Sequence, residues 1–334
     1  MWPKRYRSGL RWKEIRLELR GFLGVTSLPH LHGVPVTAAP ATTADFSRLA
    51  LCALFQHRMA TTRQLHLLAS PTASIQWIRR RLSDLHDRGL VNRFQMPRPG
   101  RNMVWYLTDQ GRSTTELLPE VQGRTCPPVP ADPFAARMRT GHTLDVLRAH
   151  VAFLTDARTR GDEYGPLDWQ PEINHRISER SAESLTADAL MQYATSGPGR
   201  TLHRAFVEVD RATMVSERLA SKLMAYARFH SFTPVPSHHR GTSHALDALP
   251  TWQHHYLRFP RLLFVLTGSG TVALRQRERD LQTVAADNPL VARMLQSVKA
   301  GAALLEDIEQ QGASAPVWTP LAGPQRGPCS WMDL

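Results

Sequence analysis

Phe46, Leu49, Ala50, Ala53 and Leu54 recur at the spacing of one helical face. A second short helix is predicted in TTRQLHLLA, starting behind Thr61 or Thr62 as its cap. A third follows in SPTASIQWIRRRLSDLHDRGLV, where Ile75, Ile78, Leu82 and Leu85 share a face and Gly89 marks the stop. Beyond Gly89 the period changes. LVNRFQMPRPGRNMVWYLTDQG reads as two strands around a Pro/Gly turn that carries Arg98 and Arg101. The predicted order is helix, helix, helix, hairpin.

Further along, Leu144, Leu147, Val151 and Leu154 form one stripe in GHTLDVLRAHVAFLTDARTRG, which predicts an amphipathic helix of about four turns. LDWQPEINHRIS, LTADALMQYA and TLHRAFVEVDRAT then read as three strands. SERLASKLMAYARFHS is a helix, RLLFVLTG a strand and TVALRQRERDLQTVAA a basic helix. The order α, β, β, β, α, β, α predicts a multi-domain α/β chain.

Between the two patterns, residues 118–133 (LPEVQGRTCPPVPADP) hold five prolines and few apolar anchors and read as a linker. Residues 1–41 carry seven Lys/Arg against Glu14 and Glu18 and end in SLPHLHGVPVTAAPA, which predicts a short helix near residues 11–23 and then a flexible arm. The expected organisation is an arm (1–41), a small domain (42–118), a Pro-rich linker (119–133), a larger domain (134–322) and a C-terminal tail (323–334). A chain of 334 residues can bury two cores.

A net charge of +12 and a pI near 10.4 point to a polyanionic partner, double-stranded DNA first, because phosphate contacts by Lys and Arg release counterions. No stretch approaches the roughly eighteen uncharged apolar residues of a membrane span. Arg11, Lys13, Glu14, Arg16, Glu18 and Arg20 interrupt what would have to be the core of a signal peptide. No membrane partner and a cytoplasmic location are therefore expected. Cys52, Cys126 and Cys329 form no C-x-x-C pair and are expected as reduced thiols.

The third helix leaves Gln76, Arg79, Arg80 and Ser83 on its outer side, residue types that contact phosphates and guanine edges in a major groove. With the hairpin behind it, the segment resembles a winged helix-turn-helix, whose wing, here bearing Arg98 and Arg101, touches the backbone or minor groove. A solvated arginine-rich helix in a protein-interaction module is the competing reading. In the larger domain, RAFVEVDRATMVSERLASKLMAYARFH sets two acids and a lysine among core positions. Alternation puts Glu208 and Asp210 on one strand face with Val207 and Val209 on the other, and Asp188 on the neighbouring strand could close a carboxylate cluster suited to Mg²⁺ or Mn²⁺. On a helical wheel Lys222 lies about 60° from Leu219 and about 40° from Tyr226, at the edge of the inward stripe.

The element order, with Asp188 on the second strand and Glu208 on the third, resembles the core of the PD-(D/E)XK nuclease superfamily. Ala187-Asp188 stands where that superfamily has Pro-Asp, and Glu208-Val209-Asp210 where it has E-x-K, so the lysine must come from the helix. An E-V-D-x-x-T strand leading to a K-L-x-x-Y helix, with GHTLDVLRAHVAFL, FPRLLFVLTG and APVWTP, resembles the replication-relaxation family of plasmid and mobile-element proteins over roughly residues 45–320. The resemblance implies an N-terminal winged helix-turn-helix and a C-terminal PD-(D/E)XK nuclease-like α/β domain with a central mixed sheet. It implies DNA nicking at an origin-like site in replication or conjugative mobilisation. Asp188, Glu208, Asp210 and Lys222 would be the catalytic set, the three acids holding the metal, with Glu172 in WQPEI as a further acid. Other replication or conjugation proteins would be partners, and a dimer is compatible with the pattern. A DNA-binding replication or transcription factor on an inactive nuclease-like scaffold, and an assembly protein recruiting a partner to DNA, are the alternatives.

Other signals carry less. His30-Leu31-His32 matches an H-U-H pair but sits in a Pro-flanked linker. His238, His239, His244, His254 and His255 match no closed zinc site and read as a polar loop. Tyr226 is expected as a core tyrosine, and TGSGT at 267–271 lacks the spacing of a nucleotide loop.

Overall fold

The computed structural model describes residues 42–96, 102–124, 126, 133–177, 183–212, 216–233, 249–323 and 327–334. The arm with its expected helix, and the turn bearing Arg98 and Arg101, lie outside the described residues.

The first helix, α1 (Thr43–His57), opens where the Thr42 hydroxyl accepts the Asp45 N–H. Thr61 caps α2 (Thr62–Ala69) in a reciprocal pair with Gln64, which decides between the two candidate threonines. Ser74 caps α3 (Ile75–Asp87), and the chain turns out of it at Gly89 with φ +69°, a conformation glycine adopts without strain. Strands β2 (Val91–Gln95) and β3 (Met103–Leu107) follow, then the short α4 (Asp109–Glu116). An additional strand, β1 (Met59–Thr61), pairs antiparallel with β3 and gives a three-stranded sheet of order β1-β3-β2. Three residues between two helices are too few to show a period, so this strand leaves no trace in the hydrophobic pattern.

The larger part begins with α5 (Pro133–Arg160), which starts before the stripe at Leu144. Strands β4 (Trp169–Arg176), β5 (Ser184–Ala194) and β6 (Leu202–Asp210) follow, then α6 (Ser216–Ser231), β7 (Arg261–Leu266) and α7 (Thr271–Asp287). The chain continues through α8 (Pro289–Leu295), β8 (Ala300–Leu304), α9 (Leu305–Gln311) and β9 (Thr319–Pro320). One mixed sheet runs β4-β5-β6-β7-β8-β9, with β6, β7 and β8 parallel and the other neighbours antiparallel. Strand β8, AGAAL, is buried throughout, and its small side chains carry little strand signal.

The sheet separates two cores. Ala205, Val207 and Val209 of β6 pack with Leu147 and Phe153 of α5, and the same core continues into Phe46, Leu54 and Leu82 of the small segment. Phe206, on the opposite face of β6, packs with Leu223 and Tyr226 of α6 and Leu274 of α7. Thus the segments on either side of residues 119–133 share one hydrophobic core, and the described residues from Thr42 onward form one compact unit. Polar contacts cross the same boundary. Gln64 Nε2 donates to the Leu144 carbonyl (2.8 Å), and His150 Nδ1 lies 3.1 Å from His57 Nε2, where burial pushes the His57 imidazole down to about 3 and His150 well below its ordinary value. The expected tail is packed as well: Trp331 is fully buried against Phe153 and Tyr193. Among the described residues no helix is long and apolar enough to cross a membrane.

Candidate active site

Three acids lie in one row across the sheet. Pro171 opposes Ala189 and Ile173 opposes Ala187, so Glu172 on β4 lies across from Asp188 on β5. Ala189 opposes Val207, which carries Asp188 to the place across from Glu208 on β6. The strand rotates at this row. Leu185 and Ala187 pack on the α6 side, whereas Ala189, Met191 and Tyr193 pack on the α5 side, so the strict alternation of β5 breaks at Asp188. Where β5 leaves β6, the Asp188 carboxylate replaces the missing ladder acceptor: its Oδ2 takes the Val209 N–H at 2.8 Å.

The other Asp188 oxygen faces His142 of α5, Oδ1 to Nε2 3.2 Å. Burial alone would raise the Asp188 carboxyl, but the His142 hydrogen bond and charge, the Lys222 ammonium and the Val209 N–H hold it below the usual carboxylate value. These contacts favour the ionised form of Asp188 over the protonated one.

Glu208 faces α6. Lys222 and Tyr226 are one turn apart on that helix, and both reach it: Lys222 Nζ is 3.0 Å from Oε2, and the Tyr226 hydroxyl donates to Oε1. Lys222 also donates to the Thr186 carbonyl on β5, so its ammonium bridges the two strands that carry the acids. Glu208 is buried, and burial together with the neighbouring Asp188 charge pushes its carboxyl up to about 8, against the opposing pull of Lys222 and Tyr226. The helical-wheel expectation for Lys222 agrees with this geometry.

Asp210 stands apart. It lies on the Glu208 face of β6, as alternation requires, but its Oδ2 accepts from Arg277 Nη1 of α7 at 2.8 Å and its Oδ1 from the Ala212 N–H. Among the described residues no three His, Cys, Asp or Glu side chains are grouped to hold a metal ion. Of the three carboxylates expected to hold a metal, Asp210 is engaged by a guanidinium from the next helix, and Asp188 and Glu208 lie on adjacent strands. Glu172 is likewise paired, with Arg58.

The pair fits a divalent cation in its chemistry. It offers two hard oxygen donors on adjacent strands, and a positive charge beside them would relieve both the desolvation and the Asp188 repulsion that push the Glu208 carboxyl up.

In the small segment Gln76, Arg79 and Arg80 are exposed on α3 and Ser83 is half-buried. Arg93 of β2 lies over the Trp105 ring at 5.3 Å. His30, His32, His238, His239 and His244 lie outside the described residues, while His254 and His255 are exposed. The TGSGT loop lines a separate cleft of about 600 Å³ walled by Asp145, Glu306 and Asp307 beside Arg148. Two site residues escape a reading of the sequence. Tyr226 is a core tyrosine as its stripe predicts, yet its hydroxyl serves Glu208; the i, i+4 spacing from Lys222 was the available signal. His142 has no signal beyond standing at the head of the α5 stripe.

No curated protein and no solved structure matches the chain. The sequence pattern of the replication-relaxation family matches residues 51–246, which takes in the small segment from the middle of α1 onward, the row of acids and α6. Spanning more than half of the sequence, that match makes the chain a member of the replication-relaxation family, with a role in plasmid or mobile-element replication.

Proposed function

We propose that the protein docks on duplex DNA through a winged helix-turn-helix formed by α1–α3 and β1–β3, and nicks a strand at Asp188, Glu208 and Lys222. The observation that carries the reading is the convergence on Glu208: a buried acid on the strand next to Asp188, touched by a lysine at 3.0 Å and by a tyrosine hydroxyl. Purely structural buried acids are seldom left next to a second carboxylate, because each raises the cost of ionising the other. Mg²⁺ or Mn²⁺ held by Asp188 and Glu208 would supply charge neutralisation at the phosphodiester and acidify water. The chain's own groups do the positioning. His142 and the Val209 N–H orient Asp188, Tyr226 orients Glu208, and Lys222 holds an ammonium where phosphate charge would develop.

The scaffold alternative draws on one observation, the capture of Asp210 by Arg277, which leaves two carboxylates for the metal. Incubation of supercoiled plasmid carrying the protein's own locus with Mg²⁺, Mn²⁺ or EDTA separates the two. Nicked circles that need the metal support cleavage, and intact plasmid under all three conditions supports the scaffold.

DNA docking has its own test. Arg79→Ala or Arg80→Ala should weaken binding to the cognate site by about 1–3 kcal/mol where the side chain reads a base. Fluorescence anisotropy over several salt concentrations measures it. An Arg79/Arg80 double-Ala protein with unchanged affinity removes α3 from the interface.

A further inference from the structure

We propose that Arg58 is a DNA-phosphate-binding residue of the nicking site, held in reserve by Glu172 until the DNA backbone displaces that carboxylate. The inference rests on the cleavage reading above and adds to it a residue and a release step. Arg58 follows the last residue of α1, in the segment that presents Arg79 and Arg80, and its side chain crosses to β4. There it grips Glu172 through both forks, Nη1 to Oε1 at 2.5 Å and Nη2 to Oε2 at 2.6 Å. Glu172 in turn lies across from Asp188 in the row of acids. Arg58, Glu172, His142 and Asp188 line one small pocket.

Three features mark this ion pair as a poised contact. Both partners sit in the left-handed backbone region, Arg58 at φ +66° and Glu172 at φ +53°, a conformation that non-glycine residues adopt at a cost and that collects at functional sites. Arg58 is 11 % exposed, and its Nε is buried with no hydrogen-bond partner, so the guanidinium keeps an unused donor. Glu172 is 46 % exposed, so an incoming anion can reach the carboxylate side of the pair. A phosphodiester presents the same pair of oxygens to the guanidinium fork as a carboxylate does. DNA brought in on α3 supplies that phosphate. The exchange leaves Arg58 on the backbone and frees Glu172 beside Asp188.

A double-mutant cycle on DNA binding, run in EDTA so that no strand is cut, tests the exchange. The probe is a labelled duplex carrying the protein's own locus, measured by anisotropy at low salt. Glu172→Gln removes the competing charge and should tighten binding roughly 3–10-fold, and Arg58→Ala should weaken it by a similar factor. In the Arg58→Ala background Glu172→Gln should change affinity less than about twofold. Equal effects of Glu172→Gln in both backgrounds mean general charge removal and overturn the proposal. Should Arg58→Ala not fold, Arg58→Lys carries the cycle, since it keeps the charge and loses the fork. Inorganic phosphate distinguishes the source: if it stabilises the Glu172→Gln protein but not the Arg58→Ala/Glu172→Gln protein while the duplex cycle is additive, the pocket is a free-phosphate site and the DNA assignment fails. Plasmid that is never nicked overturns cleavage without touching the cycle, and additive mutants overturn the Arg58 assignment without touching cleavage.

Discussion

Asp188→Asn protein should bind duplex DNA with wild-type affinity and leave supercoiled plasmid uncut, a rate loss of roughly a hundredfold or more. The substitution keeps an oxygen that can accept the Val209 N–H, so the bend where β5 leaves β6 is retained, and it removes only the charge. Asp188→Ala would also orphan that N–H, a loss of about 1–3 kcal/mol in stability that would blur the result. The two acids are coupled: the Asp188 charge helps push Glu208 up, so the Asn protein should ionise Glu208 more readily. Loss of nicking despite an easier Glu208 would assign the defect to the proposed metal site at this pair. The α3 residues proposed to meet DNA lie in the other segment, so anisotropy should not change. Nicking at the wild-type rate by Asp188→Asn removes Asp188 from the site.

The second large effect concerns pH. Glu208 has a folded value of about 8 against an ordinary value of 4.5, so the folded chain binds more protons than the unfolded chain between those values. Its contribution to stability is complete below about pH 4.5 and is lost as pH rises through about 8, with a slope of roughly 1.4 kcal/mol per pH unit within that window. Asp188, held below its ordinary value, works in the opposite sense: its contribution is present at neutral pH and is lost as pH falls below the carboxylate range. Glu208→Gln keeps the acceptor for Tyr226 and cannot ionise. Its melting temperature minus that of the wild type should therefore rise from pH 5 to about pH 8 and level off above it, by a few kcal/mol when expressed as free energy. A difference that is flat across this range shows that Glu208 is not buried in protonated form.

Much of the architecture follows from local rules. The Thr61 cap, the Gly89 stop and the whole of α6 as SERLASKLMAYARFHS are set by capping, backbone freedom and helical period, which need no tertiary information. Lys222 was legible for the same reason, since its wheel position fixes which way it leaves the helix. The partners of the acids were not legible. Alternation puts Glu208 and Asp210 on one face, but only the packing of α7 on the sheet decides that Arg277 takes Asp210. The rotation of β5 at Asp188 likewise depends on β4 and β6 together, and period-two patterning along one strand cannot show it. The Pro-rich segment at 119–133 signals a change of element pattern, yet the apolar surfaces of α1 and α5 close into one core across it.

Calorimetric titration of the protein with Mn²⁺ at pH 7, in buffers of different ionisation enthalpy, tests the Asp188–Glu208 pair most directly. With Glu208 protonated at that pH, binding should release close to one proton per ion, and Asp188→Asn or Glu208→Gln should abolish it. Binding that releases no proton, or that survives both substitutions, would contradict a metal site at this pair.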